Sequence, residues 1–395
     1  MMDGALHGLR ALETGVQIAG PYCGRLLAEL GAEVIKIEPP SGEPSRRSPP
    51  LSKGVSISYL YWNANKKNLA LNLKEDLGKR VYLDLAKKSD IIVSNFRPGV
   101  MDKLGLGYED MRKVNPRIIY VSITGFGSFG PLSNQAGYDM LAQAMSGLAD
   151  ANTCPDGSPK INSMSLDYSA AMMGAISVLA ALFHREKSGV GQFIDISLQD
   201  VGLIYAQHLM GQDLFGYNYR SGNRRLAFAP FSVYKTRNGN VVVAIDEDSK
   251  WKAFLKVVGK PELSEDPRFE SVEARVKNYD AIDAILSEWT QTRETEDVVD
   301  VITSLGGASC AVMTIPEVFK DEEGHLKSRG IIGKIPSGLG EEIPFVGSAL
   351  KLSKTPGKVE TLGPRLGEHT EYILQNIAGY DRERIASLRA SKVIA

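Results

Sequence analysis

The chain has 395 residues, 43% of them hydrophobic and 24% charged. That is ordinary globular composition, and it excludes a disordered, collagen-like or coiled-coil chain. Lys+Arg total 46 against Asp+Glu 47, a formal net charge of -1, so no global basic field exists to hold nucleic acid by counterion release. Length allows two or three domains, or one large α/β domain with a satellite. Cys23, Cys154 and Cys310 are scattered and odd in number, which argues against a disulfide framework and for a cytoplasmic protein. The five histidines are scattered as well, so no metal site is expected. The N-terminal stretch MMDGALHGLRALETG lacks the basic and apolar regions of a signal peptide. The longest nearly apolar run, Ala170 to Phe183, is short of the roughly 18–20 residues a membrane span needs. It reads as a buried helix, with no membrane partner.

In chain order, Leu9 to Glu13 is a short apolar segment, and a helical stretch opens at Gly20-Pro21 and closes at Gly31. Ala32 to Glu38 is a strand. Pro39 to Ser58, rich in Pro, Ser, Gly and Arg, predicts a long loop. Asn68 to Leu73 predicts a strand, Glu75 to Lys87 a helix, Asp90 to Phe96 a buried strand, Glu109 to Lys113 a helix and Arg117 to Gly125 a strand. Strands separated by helices in this way argue for βαβ units and a mostly parallel sheet. The helix Ser169 to Lys187 leads into the strand QFIDISL. From about Asn218 the texture changes. Two β-rich runs joined through Arg237-Asn238-Gly239 predict a hairpin, and charged helices follow to about Ser304. The expected fold is α/β: a large Rossmann-like domain over 1–205, a smaller α+β domain over 218–325, and a C-terminal segment, 340–395, returning to the large domain.

Gly125-Phe126-Gly127-Ser128-Phe129-Gly130 satisfies GxGxxG and follows a strand. The next residues, Pro131-Leu132-Ser133-Asn134, read as loop rather than as the helix that would hold a pyrophosphate. A nicotinamide or flavin site is therefore not expected, although glycines let a ligand approach the backbone closely.

Asp167 precedes one of the most apolar helices in the chain. Either it is an ordinary helix cap, or it is a carboxylate at the mouth of a pocket, where partial desolvation favours nucleophilic use. Asp139, after Tyr138, has the same bland alternative of a cap or a solvated side chain. Asn65-Lys66-Lys67, Lys74, Arg97 and Lys103 fall at expected strand ends or in the loops that follow. Those edges are where open α/β sheets bind ligands, and jointly these residues suggest a site for a phosphorylated ligand. Each alone reads equally as a solvated surface residue.

An ordered series of segments resembles the class III CoA-transferases, the family of formyl-CoA:oxalate and crotonobetainyl-CoA:carnitine CoA-transferases, which also contains the α-methylacyl-CoA racemases. The segments are AGPYCGRLLAELGAEVIKIEPP, NANKKNLALNLK, NFRPGVMDKLGLGYE, GFGSFGP, the stretch from Leu166 to Asp200, and LGEHT. The resemblance implies ring-shaped protomers that interlock as a homodimer. It also implies CoA transfer from an acyl-CoA donor to a small carboxylic acid, with coenzyme A as substrate and no tightly bound cofactor. By resemblance Asp167 is the catalytic carboxylate, passing through aspartyl anhydride and aspartyl-CoA thioester intermediates, with Tyr138 and Asp139 beside it. Gln17, Ala19, Leu71, Asn72, Lys74, Asn95, Phe96, Arg97 and Lys103 fall on the family's CoA-binding positions.

Three positions depart from family patterns. Pro39 stands where some members carry a basic residue. The run of glycines that closes over the intermediate in formyl-CoA transferase is absent, and Ser221-Gly222-Asn223 lies in that region. Tyr138 replaces the His of the racemases' AGHD-like motif, and an unperturbed phenol, ionising near about pH 10, is a poor base at neutral pH. Transferase is therefore the preferred reading. A racemase or a non-catalytic acyl-CoA-binding protein are the alternatives. Arg224 and Arg225 are candidates for holding a dicarboxylate, or solvated linker charges.

Overall fold

The structure is a computed structural model, and it describes residues 4–154, 157–216, 222–224, 227–320, 324–338 and 340–395. The chain divides into two compact units. The first comprises residues 1–148, 161–206 and 321–395, and the second residues 149–160 and 207–320.

A six-stranded sheet organises the first unit. Its strands are β1 (Arg10–Glu13), β2 (Glu33–Glu38), β3 (Lys67–Ala70), β4 (Ile91–Ser94), β5 (Ile119–Thr124) and β6 (Phe193–Ser197). They lie in the order β3-β2-β1-β4-β5-β6, and every pairing is parallel. Both faces are covered, which is why these strands read as near-continuous apolar runs. On one face Ala11, Val34, Val93 and Val121 pack beneath the helices α1 (Ala19–Glu29) and α4 (Ser165–Ser188). On the other, Leu12, Ile35, Ile92 and Tyr120 pack with Val81, Tyr82 and Leu85 of α2 (Asp76–Ala86) and with Ile373, Leu374, Ile385 and Leu388 near the C-terminus. Between β5 and α4 lies a shorter helix, α3 (Asp139–Met145).

Two local features differ from expectation. The segment expected as one long loop contains a 3-10 turn, Pro44–Arg47, and a small antiparallel ribbon of Leu51–Ser52 with Val55–Ser56. It is followed by a helix, Ile57–Trp62, that periodicity did not reveal. Six residues are too few to show a helical repeat, and Ser56 starts the helix by accepting the Tyr59 N–H. The second feature is α4, which runs 24 residues, longer than its apolar stretch. By length and composition it could cross a bilayer. One face, including Leu166, Ala170, Gly174 and Val178, is buried against the sheet. The other leaves Met172, Ile176, Leu179 and Phe183 exposed, so the helix expected to be buried is buried on one face only.

The second unit carries an antiparallel sheet of β7 (Phe231–Lys235), β8 (Asn240–Ala244) and β9 (Ala308–Ala311), with β8 central. The β7–β8 hairpin turns through Arg237-Asn238-Gly239, as the Asn-Gly pair predicts. Helices Asp248–Val257, Tyr279–Thr290 and Thr295–Ser304 cover it, burying Trp251, Phe254, Leu286 and Ile302.

Candidate active site at the switch point of the sheet

From β1 the chain winds outward through β2 to β3, and from β4 it winds the other way through β5 to β6. The carboxyl ends of β1 and β4 therefore bound the crevice where doubly wound sheets bind ligands. A cavity of about 360 Å³ opens there. Its walls are Val16, Gln17, Ile18 and Ala19 after β1, Asn95, Phe96 and Arg97 after β4, Ile123 to Gly125 at the end of β5, the Gly137 to Met140 turn, Leu198, and Asp167 in the first turn of α4. The wall at Gly125 and Gly137 consists of two crossing backbones. A Cβ on Gly137 would lie 2.4 Å from the Gly125 Cα, so neither position admits a side chain without moving the other.

The structure decides between the readings of the two aspartates. Asp167 does not cap α4, because the helix begins two residues earlier at Ser165 and Met164 occupies the cap position without a side-chain bond. The cap comes through space from Asp139. One of its carboxylate oxygens accepts the N–H groups of Leu166 at 2.7 Å and Asp167 at 3.0 Å. Buried Gln143, one turn further along α3, donates to the other oxygen of Asp139. The same Gln143 side chain grips the segment leading into α4, accepting from Asn162 N–H at 2.8 Å and donating to Asn162 C=O at 2.5 Å. Asp139 is thus a buried anion satisfied by backbone donors at a helix N-terminus, a favourable place for it.

Asp167 is in a different position. Among the described residues no side-chain or backbone donor reaches its carboxylate, which lines the cavity half-buried. Burial, and secondarily the negative charge of Asp139, push its pKa up to about 7. Such a carboxylate is ionised in about half of molecules at neutral pH and is poorly solvated when charged, which raises its reactivity.

Eight of the residues expected at the site gather round this cavity: Gln17, Ala19, Asn95, Phe96, Arg97, Tyr138, Asp139 and Asp167. Asn95 spends both ends of its amide on the Val16 backbone, accepting from N–H at 2.8 Å and donating to C=O at 2.9 Å. Leu71, Asn72, Lys74 and Lys103 do not line the cavity. The Leu71 side chain is turned into the core, and its N–H donates to Glu38 C=O. Lys74, Arg97 and Lys103 are exposed, and no salt bridge among the described residues takes them. The other expected basic positions are already spent. Lys66 is fully buried, bonded to Glu13, Asn63 and the Pro21 carbonyl, and burial lowers its pKa to about 8. Lys67 pairs with Glu33 and lies over the Tyr372 ring. Arg224 pairs with Asp280 and Asp283, and its guanidinium lies over the Tyr279 ring. Ser221 and Arg225 lie outside the described residues.

Sequence reading missed Gln143 and Asn162, and also Lys36 and Glu43, buried beneath the Gln17 loop. Only Lys36 carried a signal, as a charge inside the apolar strand EVIKIE.

The profile of CoA-transferase family III matches residues 6–370. The chain is 32% identical to a succinyl-CoA–L-malate CoA-transferase beta subunit of Chloroflexus aurantiacus, covering 100% of both chains. It is 37% identical to an acetyl-CoA:oxalate CoA-transferase of Acetobacter aceti, over 77% of this chain and 79% of that one. A CaiB/BaiF family protein from Brucella suis superposes with a TM-score of 0.85 at 30% identity, covering 95% of this chain and 100% of the other. The chain belongs to CoA-transferase family III and is an enzyme of CoA transfer with acyl-CoA as substrate.

Proposed function

We propose that this enzyme moves CoA from an acyl-CoA donor to a small carboxylic acid by covalent catalysis on Asp167. The observation that carries the reading is a half-buried carboxylate with no hydrogen-bond donor of its own, poised near neutral pKa in the switch-point cavity. Ionised Asp167 attacks the donor thioester carbonyl, forming an aspartyl–acyl anhydride and releasing CoA thiolate. The thiolate attacks the aspartyl carbonyl, giving aspartyl-CoA thioester and the free donor acid. The acceptor carboxylate attacks that thioester, and the thiolate it expels then takes the acceptor acyl group, regenerating Asp167. Each step exchanges one activated acyl bond for another. The chain enters α1 at Ala19 on the cavity wall. First-turn N–H groups of a helix have no intrahelical acceptor, so they are suited to the tetrahedral oxyanions.

The diphosphate and adenosine end of CoA is assigned to the side of Lys74, Arg97 and Lys103, which are exposed and available to anions. Asn72 and the Leu71 backbone would contact the same end. Relatives act on succinyl-CoA with malate, citramalate, glutarate or mesaconate, and succinyl-CoA is the donor to test first. Tyr138, exposed at the cavity, supplies no imidazole base for racemisation. The exposed stripe Met172, Ile176, Leu179 and Phe183, spaced as one face of α4, supports a homodimer; interlocking of its rings is expected by family resemblance.

The test is to incubate the enzyme with succinyl-CoA, add borohydride or hydroxylamine, and locate the adduct by peptide mass spectrometry. The expected product is modified Asp167. Exchange of the α-proton of a 2-methylacyl-CoA in heavy water, with no adduct and no transfer to any acid, would overturn the assignment and make Asp167 a general base.

A further inference from the structure

Four buried charges lie directly beneath one wall of the cavity. Glu13 ends β1, Lys36 is inside β2, Glu43 lies in the following loop, and Lys66 precedes β3; all four side chains are at most 1% exposed. Lys36 Nζ is 3.4 Å from Glu13 and 4.0 Å from Glu43, and Lys66 Nζ is 3.0 Å from Glu13. Burying ions carries a large desolvation penalty, and a well-packed apolar cluster is often at least as stable. Stability alone is therefore a poor account of this cluster.

The contacts of Lys36 and Glu43 lead to the loop between β1 and α1. Lys36 Nζ donates to the Gly15 carbonyl at 2.6 Å. The Glu43 carboxylate accepts the Gln17 N–H at 3.2 Å, and its other side-chain hydrogen bonds come from Ser45. Between these two anchors, Asn95 holds both the N–H and the C=O of Val16, and just before them the Thr14 N–H donates to the Val93 carbonyl. Gln17 itself has φ of 61°, in the left-handed region that disfavours any residue but glycine. That conformation persists because the surroundings impose it. Its effect is to turn Val16, Gln17 and Ile18 into the wall of the cavity that Asp167 also lines.

We infer that Lys36 and Glu43 are positioning residues for CoA transfer: as a buried ion pair they clamp the Gly15–Gln17 backbone in its left-handed turn, fixing the wall against which the reacting thioester is held. The inference rests on the reading of this cavity as the transfer site. Neither side chain reaches the cavity itself; each acts through the loop. Displacement of a positioning wall by about 1 Å can cost on the order of 100-fold in rate.

The test uses Glu43→Gln and the charge-balanced double variant Lys36→Met/Glu43→Gln, in which no buried ion of the pair is left without its partner. Three measurements are made on the full chain: kcat and KM for transfer from succinyl-CoA, affinity for CoA by calorimetry, and hydrogen exchange of the peptide spanning residues 14–18. The expected result is a fall in kcat of roughly 10- to 100-fold, faster exchange in that peptide, and CoA affinity and unfolding midpoint close to wild type. The anion-binding side of the site is untouched by these changes. Retention of kcat within about twofold, a loss confined to CoA affinity, or failure of both variants to fold would each overturn the inference. Asp167→Asn run alongside separates the two claims. If it retains transfer, the reading of the cavity fails, whereas exchange at residues 14–18 still judges the clamp.

Discussion

Replacing Asp167 with Asn should abolish transfer and stabilise the protein, with a gain that depends on pH. The folded carboxyl titrates near 7, raised from an ordinary 3.8 by burial and then by Asp139. Well below pH 3.8 both the folded and unfolded states hold the proton, and the group contributes nothing. Between about 4 and 7 the unfolded chain releases the proton while the folded chain keeps it, so wild-type stability falls as pH rises. Above 7 the folded protein bears the full cost of an ionised, unpartnered carboxylate. A separation of about three pKa units at 1.36 kcal/mol each is about 4 kcal/mol, an upper value because the side chain is only partly buried. Asn does not titrate, so its advantage should be small near pH 4.5 and approach that figure by pH 8.5. Urea unfolding of both proteins at those two pH values measures it. A stability difference that is the same at both, or that shrinks as pH rises, would refute the reasoning that Asp167 is held in a site hostile to its charge. In parallel, the wild-type rate of the step that needs ionised Asp167 should rise through a midpoint near pH 7.

Asp139→Asn removes the like charge but not the burial, so the midpoint of activity against pH should fall by about one unit or less; an unchanged or raised midpoint would contradict the pairing of the two aspartates. The same change should cost on the order of 1 kcal/mol of stability, because α4 loses its anionic cap. Gly137→Ala sets a Cβ against the Gly125 Cα and should lower transfer at least tenfold; wild-type kinetics from this variant would show that the crossing backbones yield freely. Ile176→Asp, on the exposed face of α4, should prevent dimer assembly, read as mass by light scattering. A wild-type protein that is monomeric at micromolar concentration would refute the dimer.

Much of the architecture was legible locally. Strands such as Ile91–Ser94 and Ile119–Thr124, mostly apolar and separated by helices, already implied a mostly parallel sheet. The Asn-Gly turn marked the β7–β8 hairpin, and an Asp before a long apolar helix drew notice to residue 167. These signals survive in one dimension because they depend on backbone preference and on periodicity within a dozen residues. What each charged or polar side chain does was decided elsewhere. Asp139 caps a helix 27 residues along the chain, so Asp167, whose spacing alone reads first as the cap, is left facing the cavity without a donor. Lys66 and Lys67 looked like ligand-binding cations and are consumed by Glu13 and Glu33, whereas Lys36, which the sequence reading passed over, reaches the loop that lines the cavity. The partner of a buried charge is the nearest opposite charge in space. That neighbour is set by strand order and register, which put β1 between β2 and β4 and which no local pattern encodes.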